Sequence, residues 1–187
     1  MVGPTGQSGP VGPSGREQRA GFAGDAAATK WLVFGLGGTE YGVDIGCVQQ
    51  IIGLLPVTRV PLLPDAVRGV INLRGRVIPV VDLRIQFGLD AVDHGQRTCI
   101  IVVRAGEMEL GLVVDRVAEV VQLDAGSIED APHFGSGIDT DYMLGVAQHG
   151  DRVLLLLDVE RALPAETTGA LQESAAGVIG REAAPAI

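Results

Sequence analysis

The sequence predicts a mainly β fold: two small barrels related by internal duplication, with few short helices. Three observations lead there. The composition is aliphatic, 47% hydrophobic with only 4% aromatic residues, and its Val and Ile favour pleated, half-buried strands. Turn-forming glycines sit between short apolar runs, the pattern of hairpins. The strand pattern also recurs. Setting 31–52 against 100–121, an offset of 69, pairs Glu40 with Glu109, Gly42 with Gly111 and Val48 with Val117. Setting 69–83 against 145–159, an offset of 76, pairs Gly69 with Gly145, Arg76 with Arg152 and Asp82 with Asp158. Two related halves of about five strands each imply barrels closed on themselves, which removes exposed sheet edges.

Residues 1–29 carry glycine at positions 3, 6, 9, 12 and 15. Five Gly-x-y triplets are too few to order a triple helix, so this stretch is expected to be a disordered, extended tail. Trp31–Leu36 and Glu40–Ile45 flank Gly37–Gly38 as a first hairpin, and Val48–Ile52 continues as a strand or a short helical turn. Pro56, Pro61 and Pro64 mark a loop. From Gly69 to Leu83 two apolar runs flank a tight turn at Asn72–Gly75. Arg84–Phe87 reads as one helical turn and Gly88–Arg97 as a polar connector. Taken in chain order, the first barrel is expected at about 30–90 and the second at about 91–165. In the 166–187 tail, Leu171, Ala175 and Val178 fall at the spacing of a short amphipathic helix.

The duplication separates shared framework from positions free to differ. Gly42 and Gly111 are expected to mark a bulge or a close backbone approach, and Asp82 and Asp158 to cap the turn that follows each. The hairpin tips differ: Asn72-Leu73-Arg74-Gly75 in the first half, Gln148-His149-Gly150-Asp151 in the second. Arg74 is therefore not needed to make the turn, and it becomes a candidate contact.

The net charge of −9 argues against nucleic acid, whose phosphates require a basic surface. Charge is nonetheless segregated. Five arginines lie between Arg59 and Arg84, and nine acids between Glu107 and Asp141, so patches of opposite sign are available to protein partners. Cys47 and Cys99 are lone thiols in apolar surroundings, expected buried and reduced. No apolar run reaches the ~18 residues of a membrane span, and no signal peptide is evident, so a cytoplasmic protein without membrane insertion is expected.

Catalytic chemistry does not assemble. His94, His133 and His149 are scattered over expected loops without ligand spacing. Gly35-Leu36-Gly37-Gly38 has neither the helix nor the Lys-Ser/Thr of a phosphate loop. Asp139 and Asp141 have no apolar surroundings to raise a pKa. No enzyme, cofactor or metal is expected. What remains is protein-binding surface: two adjacent barrels leave a groove, and Val48 and Val120 lie where they would line it.

Phe34–Ile52, the Gly69-Val70-Ile71-Asn72-Leu73-Arg74-Gly75 turn, Ile78-Pro79-Val80-Val81-Asp82-Leu83-Arg84, Gly111–Asp115 and Tyr142–Gly145 closely resemble the chemotaxis coupling proteins, the CheW family. The resemblance spans about residues 31–163. It implies two five-stranded SH3-like barrels within a CheW-like domain at 30–165. It also implies an adaptor between the cytoplasmic tip of chemoreceptors and the regulatory domain of a histidine kinase. The positions matching the family's receptor groove are Val48, Gln50, Arg74 and Val120. Where the family often has an acidic residue, this chain has Gln50, which puts its receptor preference in question. A CheW-like scaffold of a non-motility pathway and a regulatory fragment of a larger kinase or receiver adaptor are the alternative readings.

Overall fold

The computed structural model describes residues 28–131 and 142–162. Eleven strands run in chain order: β1 Thr29–Leu36, β2 Thr39–Asp44, β3 Val48–Gly53, β4 Val67–Leu73, β5 Arg76–Asp82, β6 Cys99–Ala105, β7 Met108–Val114, β8 Arg116–Leu123, β9 Ile128–Glu129, β10 Met143–His149 and β11 Arg152–Leu157. One short helix, α1 at Leu83–Gln86, follows β5, and 3-10 turns occupy Ile45–Cys47 and Ala125–Ser127. The Gly-x-y tail, His133, the Asp139/Asp141 pair and the expected C-terminal helix lie outside the described residues.

The strands form a six-stranded sheet, β8-β1-β2-β11-β10-β9, and a five-stranded sheet, β3-β6-β7-β5-β4. The sixth strand of the larger sheet is the two-residue β9. The offsets of 69 and 76 carry β1, β2, β3, β4 and β5 onto β6, β7, β8, β10 and β11, and they carry one sheet order onto the other. The duplication is therefore real in three dimensions. The chain-order partition at 30–90 and 91–165 does not hold for the sheets, because each repeat exchanges its first two strands with the other. The physical reason is the brevity of the connections. Asp115 alone separates β7 from β8, whereas the tightest hairpin needs two residues. The chain therefore runs straight on into the neighbouring sheet. The 3-10 turn at Ile45–Cys47 makes the matching crossing between β2 and β3, with Asp44 Oδ1 accepting from Gly46 N at 2.7 Å.

Three apolar cores result. Trp31, Val33, Val121, Ala147, Leu154 and Leu156 fill the six-stranded barrel. Their counterparts at the two offsets, Ile100, Val102, Ile52, Ile71, Ile78 and Val80, fill the five-stranded one. The third core lies between the barrels and joins Leu32, Phe34, Tyr41 and Val43 to Ile101, Val103, Leu110 and Leu112. Phe34, Tyr41, Phe87 and Tyr142 extend it as a run of rings 4.7–5.8 Å apart. The space between the barrels therefore holds a packed apolar core.

The framework expectations mostly hold. Asp82 caps α1, accepting from Arg84 N at 3.0 Å, and Asp158 accepts from Glu160 N at 2.9 Å. Gly42 and Gly111 are close approaches rather than bulges. A Cβ there would sit 2.9 Å from Leu156 and 2.8 Å from Ile100. The five-stranded barrel closes where Thr58 and Val70 exchange backbone bonds of 2.8 and 2.9 Å.

Candidate functional site

The β4–β5 hairpin turns through Arg74 and Gly75, with φ of 55° and 86°. Positive φ at both central residues is the geometry whose twist matches that of the flanking strands, and it favours Asn or Gly. Asn72 Oδ1 accepts from Gly75 N at 2.9 Å and secures the turn. Arg74 holds a left-handed conformation that costs an L-residue about 1–2 kcal/mol, and in the other repeat the position is Gly150, with φ of 61°. Its side chain is exposed. Among the described residues Arg74 has no hydrogen bond or ion pair.

Strand register places this tip beside other groups. Val48 lies opposite Val103, near the end of β6. Arg76 opens β5 and meets Glu109 of β7 at 2.5 Å. The starts of β3 and β5 and the β6–β7 turn therefore share one end of the five-stranded barrel; Val48 and Gln50 lie on β3 toward that end, Gln50 level with Val80 through Val102 and Gly111, six residues along from the Arg74 tip. Val120 does not join them there. It lies on β8, in the other sheet, opposite Leu32 and 49% exposed.

Within β3 a bulge at Gln49 changes which residues share a face. Val48 pairs with Val103, which lies in the core between the barrels, but Gln50 pairs with Val102, which lies inside the five-stranded barrel. In a regular strand residues two apart face the same way; the extra residue puts Val48 and Gln50 on opposite faces. Gln50 Nε2 is buried without a hydrogen-bond partner. Ile51 instead shares the outward side, opposite Ile101 and 45% exposed. Ile51 and Val120 are equivalent at the offset of 69. Alternation alone missed Ile51; the signal was its repeat partner, since one exposed aliphatic predicts the other.

The mouth of the six-stranded barrel is charged. Arg116 Nη2 donates to Glu40 Oε1 at 2.7 Å, and Arg152 reaches Glu40 at 3.2 Å and Glu119 at 2.5 Å. The hydrogen bond and charge of Arg152 hold the Glu119 carboxyl below its ordinary range, and Arg152 is raised in return. Cys47 Sγ donates to Asp44 O at 2.9 Å. Burial and then the Asp44 charge push its thiol up to about 11. Both cysteines are free and half-buried. Gly37 and Gly38 turn the β1–β2 hairpin, and Gly37 N donates to Asp115 Oδ2 at 2.9 Å. Among the described residues no group of three or more His, Cys, Asp or Glu is placed to hold a metal ion, and no helix is long and apolar enough to cross a membrane.

A family model described as "CheW-like domain" matches residues 30–167. The chain belongs to the CheW family. Members of this family are non-catalytic scaffolds of chemotaxis signalling that couple receptors to a kinase. The chain is 41% identical over 145 residues to the chemotaxis protein CheW of Klebsiella aerogenes, covering 78% of this chain and 87% of the relative. It is 33% identical to that of Rhizobium meliloti, covering 72% and 87%. The crystal structure of the scaffolding protein TtCheW from Thermoanaerobacter tengcongensis superposes with a TM-score of 0.69 at 33% identity, covering 75% of this chain and 95% of that one. The CheW match takes in both repeats, hence both barrels and the core between them.

Proposed function

We propose that this CheW-family adaptor grips the helical hairpin at the cytoplasmic tip of a chemoreceptor with Arg74, Val48, Gln50 and Val120, and takes the regulatory domain of a histidine kinase on a separate surface. It does so at the cytoplasmic face of receptor arrays. The observation that carries the receptor assignment is the backbone of Arg74. A residue held left-handed at an exposed tip, where the sister hairpin uses glycine, is strain kept for its side chain. An arginine there presents a fixed charge on a stiff element to an acceptor on the incoming helices. Val48, and Val120 with Ile51, supply aliphatic contact.

No bond is made or broken. Holding receptor and kinase together raises the effective concentration of each for the other. Signalling requires that the assembly contact the two activity states of the kinase unequally, since equal affinity shifts no equilibrium. The deciding experiment titrates a receptor-tip fragment against the wild type and Arg74→Ala. A loss of about 1–3 kcal/mol, as for a truncated interfacial charge, with unchanged folding supports the assignment. Equal affinities defeat it.

A further inference from the structure

The chain leaves the last strand of each repeat in the same way. In the first, Asp82 caps the helical turn Leu83–Gln86, and the chain then comes back over the β1–β2 hairpin. Ile85, Phe87 and Leu89 pack against the core between the barrels. Leu89 lies over Gly37, where a Cβ would meet its Cδ1 at 2.9 Å. In the second, Asp158 accepts from Glu160 N at 2.9 Å, and Ala162 N donates to Asp158 O at 2.9 Å. Gly106 N, in the β6–β7 turn, donates to Glu160 Oε1 at 2.7 Å. The offset of 69 carries Gly37 to Gly106, and that of 76 carries Phe87 to Leu163 and Leu89 to Ala165. The described chain stops at Ala162, one residue before the counterpart of Phe87.

The β6–β7 turn is correspondingly bare. Among the described residues a Cβ on Gly106 would meet only Glu160 Oε1, at 3.8 Å. Beside it opens a cleft of about 670 Å³ lined by Gly106, Val77, Pro79 and Met108, and Val77 is 41% exposed. Apolar wall left open in this way marks a docking surface. Ala165 has too small a side chain to do what Leu89 does, so the cover must come from further along. The next large apolar residues are Leu171 and Val178, which with Ala175 share one face of a helical register. The nine residues from Ala162 to Leu171 reach up to about 30 Å, enough to bring that face back to the cleft.

We propose that residues 163–187 fold back over the β6–β7 turn and seat the stripe of Leu171, Ala175 and Val178 in this cleft, against Val77, Pro79 and Met108. Leu163 begins the return at the place of Phe87. Glu160 anchors it, since its bond to Gly106 N holds the exit of the chain at the edge of the cleft. The contact is the second repeat's version of the one that Phe87 and Leu89 make in the first. The segment thereby covers an apolar surface on the barrel that carries Arg74. The inference is independent of the receptor reading above.

The test is paramagnetic relaxation in the full chain. With Cys47 and Cys99 changed to alanine, a nitroxide is attached at Glu173→Cys, on the side of the helical register away from the stripe, and a thermal melt confirms folding. The methyl signals of Val77 and Met108 are expected to be lost on labelling. Those of Val153, the counterpart of Val77 at the offset of 76 and 58% exposed, are expected to remain. Adding Leu171→Asp should restore the lost signals, because a carboxylate is not buried against that wall without a partner. In the chain with its own cysteines, Leu171→Asp alone should shift the Val77 and Met108 methyls and leave Val153 unmoved. Val77 and Met108 signals that survive labelling, or that stay lost with Leu171→Asp, overturn the proposal. So does loss of signal on a nitroxide-free copy mixed with the labelled chain, which would mean that a second molecule fills the cleft.

Discussion

The guanidinium of Arg116 crosses strand β1 above the bare α-carbon of Gly35 to reach Glu40, 2.7 Å away on the far side. A Cβ on Gly35 would sit 2.9 Å from Arg116 Nε. The two residues thus tie β8 to β2 over a strand that lies between them. Glu40 is the hinge of the network, its side chain only 14% exposed and shared with Arg152. Glu40→Gln is expected to cost about 1–3 kcal/mol, between an exposed pair and a buried one. Gly35→Ala is expected to cost less, because the arginine can swing aside. Chemical denaturation of both variants checks the order; Gly35→Ala proving the worse would show that the backbone, not the ion pair, matters there.

Substitutions at Arg74 are expected to separate stability from the proposed receptor binding. Replacing it with glycine, the residue its sister turn uses at position 150, releases the left-handed strain. Arg74→Gly is therefore expected to raise stability by up to about 1 kcal/mol while weakening receptor binding as much as Arg74→Ala does. A melt and a titration on the same preparation read both quantities. A less stable Arg74→Gly would mean that the side chain is engaged within the fold itself.

The five-stranded barrel closes at a backbone contact that tolerates no side chain. At Gly69, φ is 133° and a Cβ would lie 2.1 Å from the carbonyl oxygen of Thr58. Neither atom is the end of a flexible chain, so Gly69→Ala must pull the Thr58–Val70 bridge apart. The expected cost exceeds about 3 kcal/mol, in the range of backbone strain combined with lost closure. Amide exchange at Thr58 and Val70, slow in the wild type, should become fast in the variant.

The Cys47 thiol gives the fold an alkaline limit. Its pKa is raised from 9.0 to about 11 by burial and by Asp44, so the folded state binds the thiol proton more tightly than the unfolded chain does. The resulting stabilisation is fully present below pH 9.0 and is lost as pH rises toward 11. In a Cys99→Ala background, alkylation of native Cys47 should reach half its limiting rate near pH 11, against about pH 9 for the unfolded chain. Cys47→Ala should flatten the alkaline loss of stability. A native alkylation midpoint at 9.0 would place the thiol in water.

Much of the fold was legible because the repeat writes each core position twice. Trp31 and Ile100, Val33 and Val102, and Leu154 and Ile78 occupy matched sites, and pattern alone pairs them. The tip turn at Asn72–Gly75 and the Asp82 cap were equally readable, since their chemistry is local. What the pattern could not carry was non-local or depended on a single inserted residue. The bulge at Gln49 sends Gln50 inward and leaves Ile51 outside, and no composition rule marks a bulge. The ion pairs of Glu40 reach residues 76 and 112 positions away, beyond any local signal.

The strand exchange is the largest such feature, and it leads to a further prediction. Because β1 and β2 pair with β8 and β11, while β6 and β7 pair with β3 and β5, neither repeat can complete a sheet from its own strands. A chain cut in the polar connector at 88–97 should give two fragments that are each unstructured alone, since a half-built sheet buries too little apolar surface to offset ordering. Mixed, they should restore the native β signal, with a concentration-dependent melting temperature as for any bimolecular fold. If barrels formed within each half, either fragment would fold alone and mixing would change nothing. Circular dichroism of the separate and combined fragments distinguishes the two outcomes.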